Sequence, residues 1–336
     1  MKKKTHHITL AALLAAALLT SCGSDDPTPG SGGGNGGGGG GAVAQVQLRL
    51  ADPTIYLDDD GTYYLYGTSS DNGFEVYKST DLETWQGPCG NAAAGMCLVK
   101  GSSYGDKWFW APQVFKRGDT YYMAYCANEQ LAIATSNSPA GPFRQEHIAQ
   151  IPAGFKEIDP FVFFDDDGKT YIYHVREVDC NAIWVAQMNG DLTQLDEQTA
   201  TLCIKANTEG WENTSRSTWS VAEGPTVVKL DGTYYLFYSC NSYESPDYAV
   251  GVATATSPTG PWTKPEASLI NKTVIGHNGT GHGDLFKDKE GQWQYVMHTH
   301  NNATTVQTRK TGIVQLEYTG TGFKVKGGTF RYLYHI

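Results

Sequence analysis

The sequence has few positive charges. Its 336 residues include 25 Lys and Arg against 35 Asp and Glu, which gives a net charge of −10. Proteins that bind nucleic acid neutralise phosphates with clustered Lys and Arg, and beyond its first four residues this chain has no such cluster. Nucleic acid is therefore excluded as an expected partner.

Several other signals are missing. No apolar run approaches the roughly 20 residues that a membrane-spanning helix requires, and no cysteines have CxxC or zinc-site spacing. The glycines at 32–41 do not lie between a strand and a helix, as those of a phosphate-binding loop do. No segment has the period of a convincing amphipathic helix. We therefore expect no nucleotide and no cofactor for the chemistry.

Aromatic residues are plentiful, at 12% of the chain with 20 Tyr and 8 Trp, while charged residues make up only 18%. Tyr and Trp rings combine an apolar face with a polar edge. This composition suits an all-β protein that handles neutral, hydroxylated ligands.

The N-terminal residues have the pattern of an export signal. A basic start at 1–4 is followed by a short apolar run, Ile8 to Leu19, and by Leu19-Thr20-Ser21-Cys22, which resembles the lipobox of bacterial lipoproteins. We predict a lipoprotein signal peptide at 1–22, a Gly-rich flexible linker at 23–44 and a folded domain at 45–336. The expected location is the outer membrane, at the cell surface or the periplasmic face, and the anchor is the only expected membrane contact. An ordinary cleaved signal peptide is the alternative.

Six cysteines follow Cys22, and exported proteins with an even number often form disulfides. Cys89 and Cys97 flank a Gly/Ala loop and are the predicted pair. Cys126 and Cys240 lie in predicted strands, where free cysteine behaves as a small buried apolar residue.

One hairpin pattern occurs five times. Its first copy runs from Asp52 through DDDG to Tyr66, and the Asp-Gly pair predicts a type I′ turn. The turn glycines are Gly61, Gly118, Gly168, Gly232 and Gly291, so the steps are 57, 50, 64 and 59 residues. Another strand-like pair follows each hairpin. Repeats of this length predict a five-bladed β-propeller with four-stranded antiparallel blades. A β-sandwich or jelly roll is the alternative, but neither predicts such a period.

The first residue of each hairpin is the informative position. Asp52, Asp159, Glu223 and His282 each lie nine residues before their turn glycine, and the shorter second unit starts at Trp110. In a propeller the inner strands converge on one channel, so these side chains are expected to surround one pocket. Residues that served only to form the turn of each blade would be of the same type in every blade, whereas the residue types at these five positions differ. The aspartates of the DDDG turns are expected to have no chemistry.

Three carboxyl groups in one pocket raise one another's pKa values and favour a catalytic interpretation. Hydrolysis of a glycosidic bond requires a protonated carboxyl beside the leaving oxygen and an ionised carboxylate opposite. A third carboxylate can keep the acid protonated by repulsion.

The combined motifs resemble glycoside hydrolase family 43. They include ADPTIYLDDDG, WAPQVF, IDPFVFFDDDG, AEGPTVVKLDG and GTGHGDLFKDKEG, and they extend from about Leu50 to Tyr334. The resemblance implies a five-bladed propeller that acts with inversion on arabinose- and xylose-containing polysaccharides. It places the general base on Asp52, the pKa-tuning aspartate on Asp159 and the general acid on Glu223.

The same resemblance places an axial histidine, which in many members helps to hold calcium or a water network, on His282. It places an arginine that contacts substrate hydroxyls on Arg309. Two residues depart from the usual pattern: Gln113 stands in WAPQV where WAPDV is common, and Asp284 stands in HGD where HGS is common. We therefore expect a monomeric inverting glycosidase, an α-L-arabinofuranosidase first and a β-xylosidase or arabinanase otherwise, with a structural Ca²⁺ at the axis as an option.

Alternatives remain for individual features. Trp110 fits either a sugar-stacking wall or a core position, and His298 and His300 fit either a metal pair or a packed strand end. A catalytically inert surface propeller that binds glycan is the rival function. An invertase-like enzyme is less suitable, because the chain lacks the Asn-Asp-Pro-Asn-Gly start of that class.

Overall fold

The computed structural model describes residues 44–336. The predicted signal peptide at 1–22 and the linker up to residue 43 lie outside the described residues. Within 44–336, no helix is long and apolar enough to cross a membrane. The regular structure is almost entirely β, because Tyr-, Val- and Ile-rich runs alternate with Gly-containing turns.

Short strands form seven hydrogen-bonded sheets, which are grouped into five blades in chain order. The N-terminal part and the first blade contain β1 (Val46–Gln47), β2 (Ala51–Leu57), β3 (Tyr63–Thr68), β4 (Gly73–Glu75), β5 (Tyr77–Ser79), β6 (Thr84–Trp85) and β7 (Met96–Val99). The second blade contains β8 (Trp110–Arg117), β9 (Thr120–Ala127) and β10 (Gln130–Ser136). The third contains β11 (Glu157–Phe164), β12 (Thr170–Glu177), β13 (Asn181–Met188) and β14 (Leu195–Lys205).

The remaining two blades follow the same order. The fourth contains β15 (Ala222–Leu230), β16 (Thr233–Cys240) and β17 (Ala249–Ala255). The fifth and the C-terminal part contain β18 (Gly281–Lys287), β19 (Trp293–Thr299), β20 (Lys310–Tyr318), β21 (Phe323–Val325), β22 (Arg331–Tyr332) and β23 (Tyr334–His335). Helical turns are limited to Ala93–Gly95, Gly210–Glu212 and α1 (Lys272–Ile275) in the described residues.

The five inner strands close a ring. β2 packs against β8, β8 against β11, β11 against β15, β15 against β18, and β18 against β2 again. The third blade has four full strands, whereas the second and fourth continue outwards through isolated bridges such as Thr135 to Arg144 and Thr254 to Thr263. The chain is a five-bladed β-propeller, as the repeats predict.

The two ends of the domain join the same sheet. β23 pairs antiparallel with β1 and parallel with β6. The Leu48 N–H also donates to the Leu333 carbonyl, and the Leu48 carbonyl accepts from the Thr311 N–H. The ring is thus closed by backbone pairing between sequence-distant strands, which satisfies the edges that an open sheet would expose.

Each inner strand has an irregularity near its start, where one residue has a positive φ. These residues are Asp52 (48°), Ala111 (46°), Asp159 (55°), Gly224 (60°) and His282 (40°). A non-glycine residue with positive φ is strained, and such residues cluster at functional sites. The five irregularities turn the side chains at the strand starts towards one mouth of the channel.

This geometry corrects the predicted register. Asp52, Asp159 and His282 are themselves the positive-φ residues, but Glu223 is the residue before Gly224. The pairing of β15 shifts only after Glu223, and the strand then ends in a tighter turn. Glu223 lies one residue before the positive-φ position, and the turn after β15 is shorter. The two differences cancel in the count, so the equal spacing of nine residues does not mean that Glu223 occupies the same position as Asp52, Asp159 and His282.

The turns also differ from a uniform type I′ prediction. Asp231 and Gly232 have φ of 50° and 79°, which fits type I′. In the DDDG turn of the first blade only Gly61 has a positive φ, of 81°, and its N–H donates to the Asp58 carbonyl at 2.9 Å. The longer turn places its left-handed residue at the end, so the type I′ prediction is wrong there.

The six cysteines from Cys89 to Cys240 are free thiols. The predicted Cys89–Cys97 disulfide is therefore wrong. Cys97 is fully buried in a core formed between the first two blades, and its thiol lies 3.4 Å from the carbonyl oxygen of Phe74. The side chain acts as a small core residue, as do the buried Cys126 and Cys240.

Candidate active site

A pocket of ≈ 690 Å³ lies at the mouth of the channel. All six residues singled out from the sequence line it: Asp52, Trp110, Asp159, Glu223, His282 and Arg309. Five of them come from the starts of the five inner strands and Arg309 from the residue before β20, although they are up to 257 positions apart in the chain.

Asp52 is held in a network of donors. Its Oδ1 accepts from Arg309 Nη1 at 3.0 Å, and its Oδ2 accepts from the Thr68 hydroxyl at 2.7 Å. Burial alone would raise the pKa of Asp52, but the positive charge of Arg309 and the contacts of His282 and His298 outweigh it and hold that pKa well below its usual range. Asp52 is therefore ionised at neutral pH.

His298 fixes the other side of Asp52. Its Nδ1 lies 3.3 Å from Asp52 Oδ1, and its Nε2 lies 3.3 Å from Arg309 Nη1. Burial and the adjacent Arg309 charge lower the pKa of His298 to about 3, so the ring is neutral. The backbone N–H of Asp52 donates to Nδ1 at 3.2 Å, and Arg309 can only donate towards Nε2, so both ring nitrogens are tied to the Asp52–Arg309 pair.

The pKa of Glu223 is shifted in the opposite direction from that of Asp52. Its Oε1 accepts from the Tyr248 hydroxyl at 2.7 Å, and its Oε2 accepts from Asn181 Nδ2 at 3.2 Å. Burial raises the pKa of Glu223 to about 7, and Asp159 in its ionised form would add to the increase. Glu223 can therefore carry a proton at neutral pH in the same pocket as an ionised Asp52.

Asp159 is the third carboxyl and makes a single backbone contact, from the Gly224 N–H at 3.1 Å. Burial raises the pKa of Asp159 to about 8, and the negative charge of Asp52 adds to it. Once Asp52 has ionised, a second negative charge is opposed at both remaining carboxyls. The site thus stores protons on Glu223 and Asp159 and a negative charge on Asp52.

His282 lies between the two aspartates. Its Nδ1 is 3.4 Å from Asp52 Oδ1, and its Nε2 is 3.9 Å from Asp159 Oδ2. The ring packs on Gly224, where a Cβ atom would lie only 2.7 Å from its Cδ2. The imidazole therefore spaces the carboxyls and depends on glycine in the neighbouring blade.

A cavity of ≈ 30 Å³ lies on the axis and is lined by His282, Asp284 and Gln113, among others. Asp284 accepts from the hydroxyls of Thr54 at 2.6 Å and Thr226 at 3.2 Å, in the two adjoining blades. Gln113 bonds both the N–H and the carbonyl of Val162, at 2.6 and 3.1 Å. Both departures from the family pattern therefore join neighbouring blades on the axis.

The calcium predicted at His282 does not fit these donors. Calcium prefers six to eight oxygen ligands, whereas His282 presents nitrogens, and both oxygens of Asp284 already accept hydrogen bonds. Across residues 44–336 no three His, Cys, Asp or Glu side chains are grouped as metal ligands. No step of the chemistry is assigned to a metal.

The structure shows the environments of Trp110, His298 and His300, for which the sequence left two interpretations each. Trp110 is half-buried, lines the pocket and stacks on Trp108 with ring centroids 5.7 Å apart. It also packs against the core below, so it combines both predicted environments. His300 contacts the Tyr243 carbonyl at 2.8 Å, and His298 contacts Asp52, so the two histidines do not form a metal pair.

Sequence reasoning missed the side chains that hold the carboxyls. Tyr248, Asn181 and Thr68 contact Glu223 or Asp52 directly. None of them starts a hairpin, and none has a motif of its own. Among the supporting residues only His298 attracted notice in the sequence, because His298 and His300 resemble a metal-binding pair.

The comparisons agree with this geometry. The profile of glycosyl hydrolases family 43 matches residues 45–323. A crystal structure of an endo-1,4-β-xylanase from Bacteroides thetaiotaomicron is similar with a TM-score of 0.80 and 38% identity, over 88% of this chain and 100% of that one. An endo-arabinase structure from the same organism is similar with a TM-score of 0.68 and 27% identity, over 81% of this chain and 95% of that one.

A curated relative agrees as well. A β-D-galactofuranosidase of Aspergillus niger is 26% identical over 300 residues, which cover 81% of this chain and 80% of the relative. An ionised and a protonated carboxyl in one propeller pocket are the groups that hydrolysis of a glycosidic bond requires. Profile, fold and site together identify the chain as a member of glycoside hydrolase family 43.

Proposed function

We propose that this glycosidase removes arabinofuranosyl or xylosyl units from plant cell-wall polysaccharides or oligosaccharides, with inversion at the anomeric carbon. An α-L-arabinofuranosidase is the first candidate, and a β-xylosidase or arabinanase is the next. The names of the similar proteins, a xylanase, an arabinase and a galactofuranosidase, support a pentose or furanose substrate. The observation that carries the proposal is the contrast between Asp52 and Glu223, two buried carboxyls in one pocket with opposite protonation.

In the proposed reaction, Asp52 takes a proton from a water molecule as that water attacks the anomeric carbon. Glu223 gives its proton to the glycosidic oxygen, and the bond from that oxygen to the anomeric carbon breaks. The products are a sugar of inverted configuration and a new hydroxyl on the leaving group. Asp52 ends protonated and Glu223 ionised, and exchange with solvent restores both.

The supporting residues have separate proposed roles. Arg309 and His298 keep Asp52 ionised and oriented, and Asp159 opposes ionisation of Glu223 when it is itself ionised. Trp110 offers an aromatic wall beside the reacting sugar. An inert glycan-binding propeller would gain nothing from a carboxyl held protonated at neutral pH, so this alternative is not favoured.

The experiment uses aryl α-L-arabinofuranosides and β-xylosides, linear arabinan and arabinoxylan. Proton NMR of the first product identifies its anomer, and we expect inversion. Asp52→Ala and Glu223→Ala should each lower turnover by at least about a hundredfold. Glu223→Gln should retain more activity on an aryl glycoside with an acidic phenol than on an oligosaccharide, because such a leaving group needs little protonation. Retention of configuration, or near-normal turnover by either alanine variant, contradicts the proposal.

We also propose that the protein is exported as a monomeric lipoprotein of the outer membrane, anchored only through Cys22. The support is the sequence pattern at 1–22. Metabolic labelling with a radioactive fatty acid tests it: the wild-type chain should take up label and Cys22→Ser should not. Protease treatment of intact cells then distinguishes the outer surface from the periplasmic face.

A further inference from the structure

Trp219 lies at the rim of the pocket beside the general acid. It is 46% exposed, and it is the only exposed one of the eight tryptophans, all of which lie in the described residues. It lines the same pocket as Glu223. An indole combines a large apolar face with a polar N–H, and at the rim of a pocket that face is accessible to a ligand.

The indole is linked to Glu223 through one buried side chain. Trp219 Nε1 donates to Asn181 Oδ1 at 2.9 Å, and Asn181 Nδ2 donates to Glu223 Oε2 at 3.2 Å. Asn181 is only 8% exposed, so its amide has fixed partners at both ends. Trp219 is therefore held in a defined position relative to the acid.

The segment that carries Trp219 is ordered before any ligand arrives. The buried Asn213 bonds the backbone of Ser217 in both directions, at 2.9 Å each. Glu212, fully buried, accepts from the hydroxyl of Tyr238 and from Lys264, each at 2.6 Å. A rigid aromatic side chain loses little entropy when a ligand binds to it.

Glu223 defines which part of the substrate is near. Its proton goes to the glycosidic oxygen, so the sugar that leaves must lie on the acid's side of the pocket. Trp110 belongs to the second blade, whose Ala111 N–H is joined to Asp52 through Thr68, at 3.0 and 2.7 Å. The two tryptophans thus accompany different carboxyls.

We propose that Trp219 is the stacking platform for the leaving-group sugar, an uncharged pentose unit of the polysaccharide. This inference rests on the proposed function, because it requires Glu223 to be the acid. The apolar face of a pentose ring would lie on the indole, and its hydroxyls would face water or the rim. Trp219 then favours oligomeric substrates over small glycosides.

The test compares two leaving groups on the same glycone. One substrate is an oligosaccharide, and the other is the 2,2,2-trifluoroethyl glycoside, whose leaving group has no ring. Trp219→Ala should lower kcat/KM for the oligosaccharide by about tenfold, a typical effect of losing an aromatic anchor. The trifluoroethyl glycoside should change by less than about twofold.

Two variants complete the design. Trp219→Phe keeps an aromatic face but loses the bond to Asn181, and it should keep most of the oligosaccharide activity. Phe164→Ala removes another exposed aromatic, one that does not line the pocket, and should affect neither substrate. Thermal unfolding of each variant checks that the propeller is intact.

The outcomes are distinct. Equal losses on both substrates, no loss on either, or a loss in Trp219→Phe as large as in Trp219→Ala overturns the platform. If the wild-type protein cleaves neither substrate nor the aryl glycosides, the proposed function fails instead.

Discussion

The rings of Tyr248 and His298 stack with centroids 5.6 Å apart and an interplanar angle of 12°. The hydroxyl of Tyr248 donates to Glu223, and Nδ1 of His298 contacts Asp52. The proposed acid and base are therefore positioned by one stacked pair, buried between the fourth and fifth blades. A displacement of either ring would change the separation of the two carboxyls.

Tyr248→Phe should move the alkaline limb of the pH–rate profile. The Tyr248 hydroxyl lowers the pKa of Glu223, opposing the larger effect of burial. Its removal should therefore raise that pKa, by about one unit for a hydrogen bond to a charged group. The decrease in kcat/KM, which we expect near pH 7 in the wild type, should then occur at higher pH.

Tyr295→Phe is the matched control. Tyr295 is also fully buried, and its hydroxyl has no hydrogen-bond partner among the described residues. We expect its alkaline limb to coincide with that of the wild type. A shift of equal size in both variants would mean that the limb does not report on Glu223.

Arg309→Ala should create an acidic limb. The wild-type profile should be flat down to low pH, because the pKa of Asp52 lies well below its usual range. Without the Arg309 charge, burial and the neighbouring carboxyls should raise that pKa, so activity should fall as the pH decreases through it. Arg309→Lys, which keeps the charge, should move the limb less. A loss that is uniform with pH would instead support the role in substrate binding predicted from the sequence.

Asp159→Asn should change the pH dependence of stability. The pKa of Asp159 is raised to about 8 in the folded protein, so the folded state holds the proton more tightly than the unfolded chain. That contribution is fully present below the unfolded value near 4 and is lost as the pH rises towards 8. The free energy of unfolding of the wild type should fall between pH 5 and 8. The decrease for Asp159→Asn over the same range should be smaller, by up to a few kcal/mol.

Urea titrations at pH 5, 6, 7 and 8 measure this difference. Asp191→Asn, at an exposed turn, provides a control with the same chemical change. Parallel curves for the wild type and Asp159→Asn would contradict the raised pKa.

The sequence was sufficient for the blades because their signals are local. A turn glycine between two Tyr- or Val-rich runs specifies a hairpin, and five such hairpins specify the ring. The same local register located Asp52, Asp159 and His282. It identified Glu223 as well, although the spacing that suggested its equivalence results from two compensating differences in β15.

The supporting residues could not be predicted because their contacts are long-range. Tyr248 and His298 meet only when the fourth and fifth blades pack together, and Asn181 reaches Glu223 from the third blade. The Cys89–Cys97 prediction failed for a related reason: proximity in sequence does not determine side-chain direction. Cys97 points into the core beside Phe74.

Gln113→Ala should destabilise the propeller with little effect on the pKa values of the site. The Gln113 side chain pairs with both backbone groups of Val162 and so joins the second inner strand to the third. Its truncation leaves a backbone N–H and a carbonyl without partners in the protein, at a cost of about 1–3 kcal/mol. Gln198→Ala, on an exposed segment, should cost less than about 0.5 kcal/mol. Urea unfolding measures both. The pH–rate profile of Gln113→Ala should keep its alkaline limb near pH 7, since the hydrogen bonds of the Gln113 side chain go to Val162 and not to any of the three carboxyls. Equal stability of the two variants would show that the inter-blade pairing contributes little to ring closure.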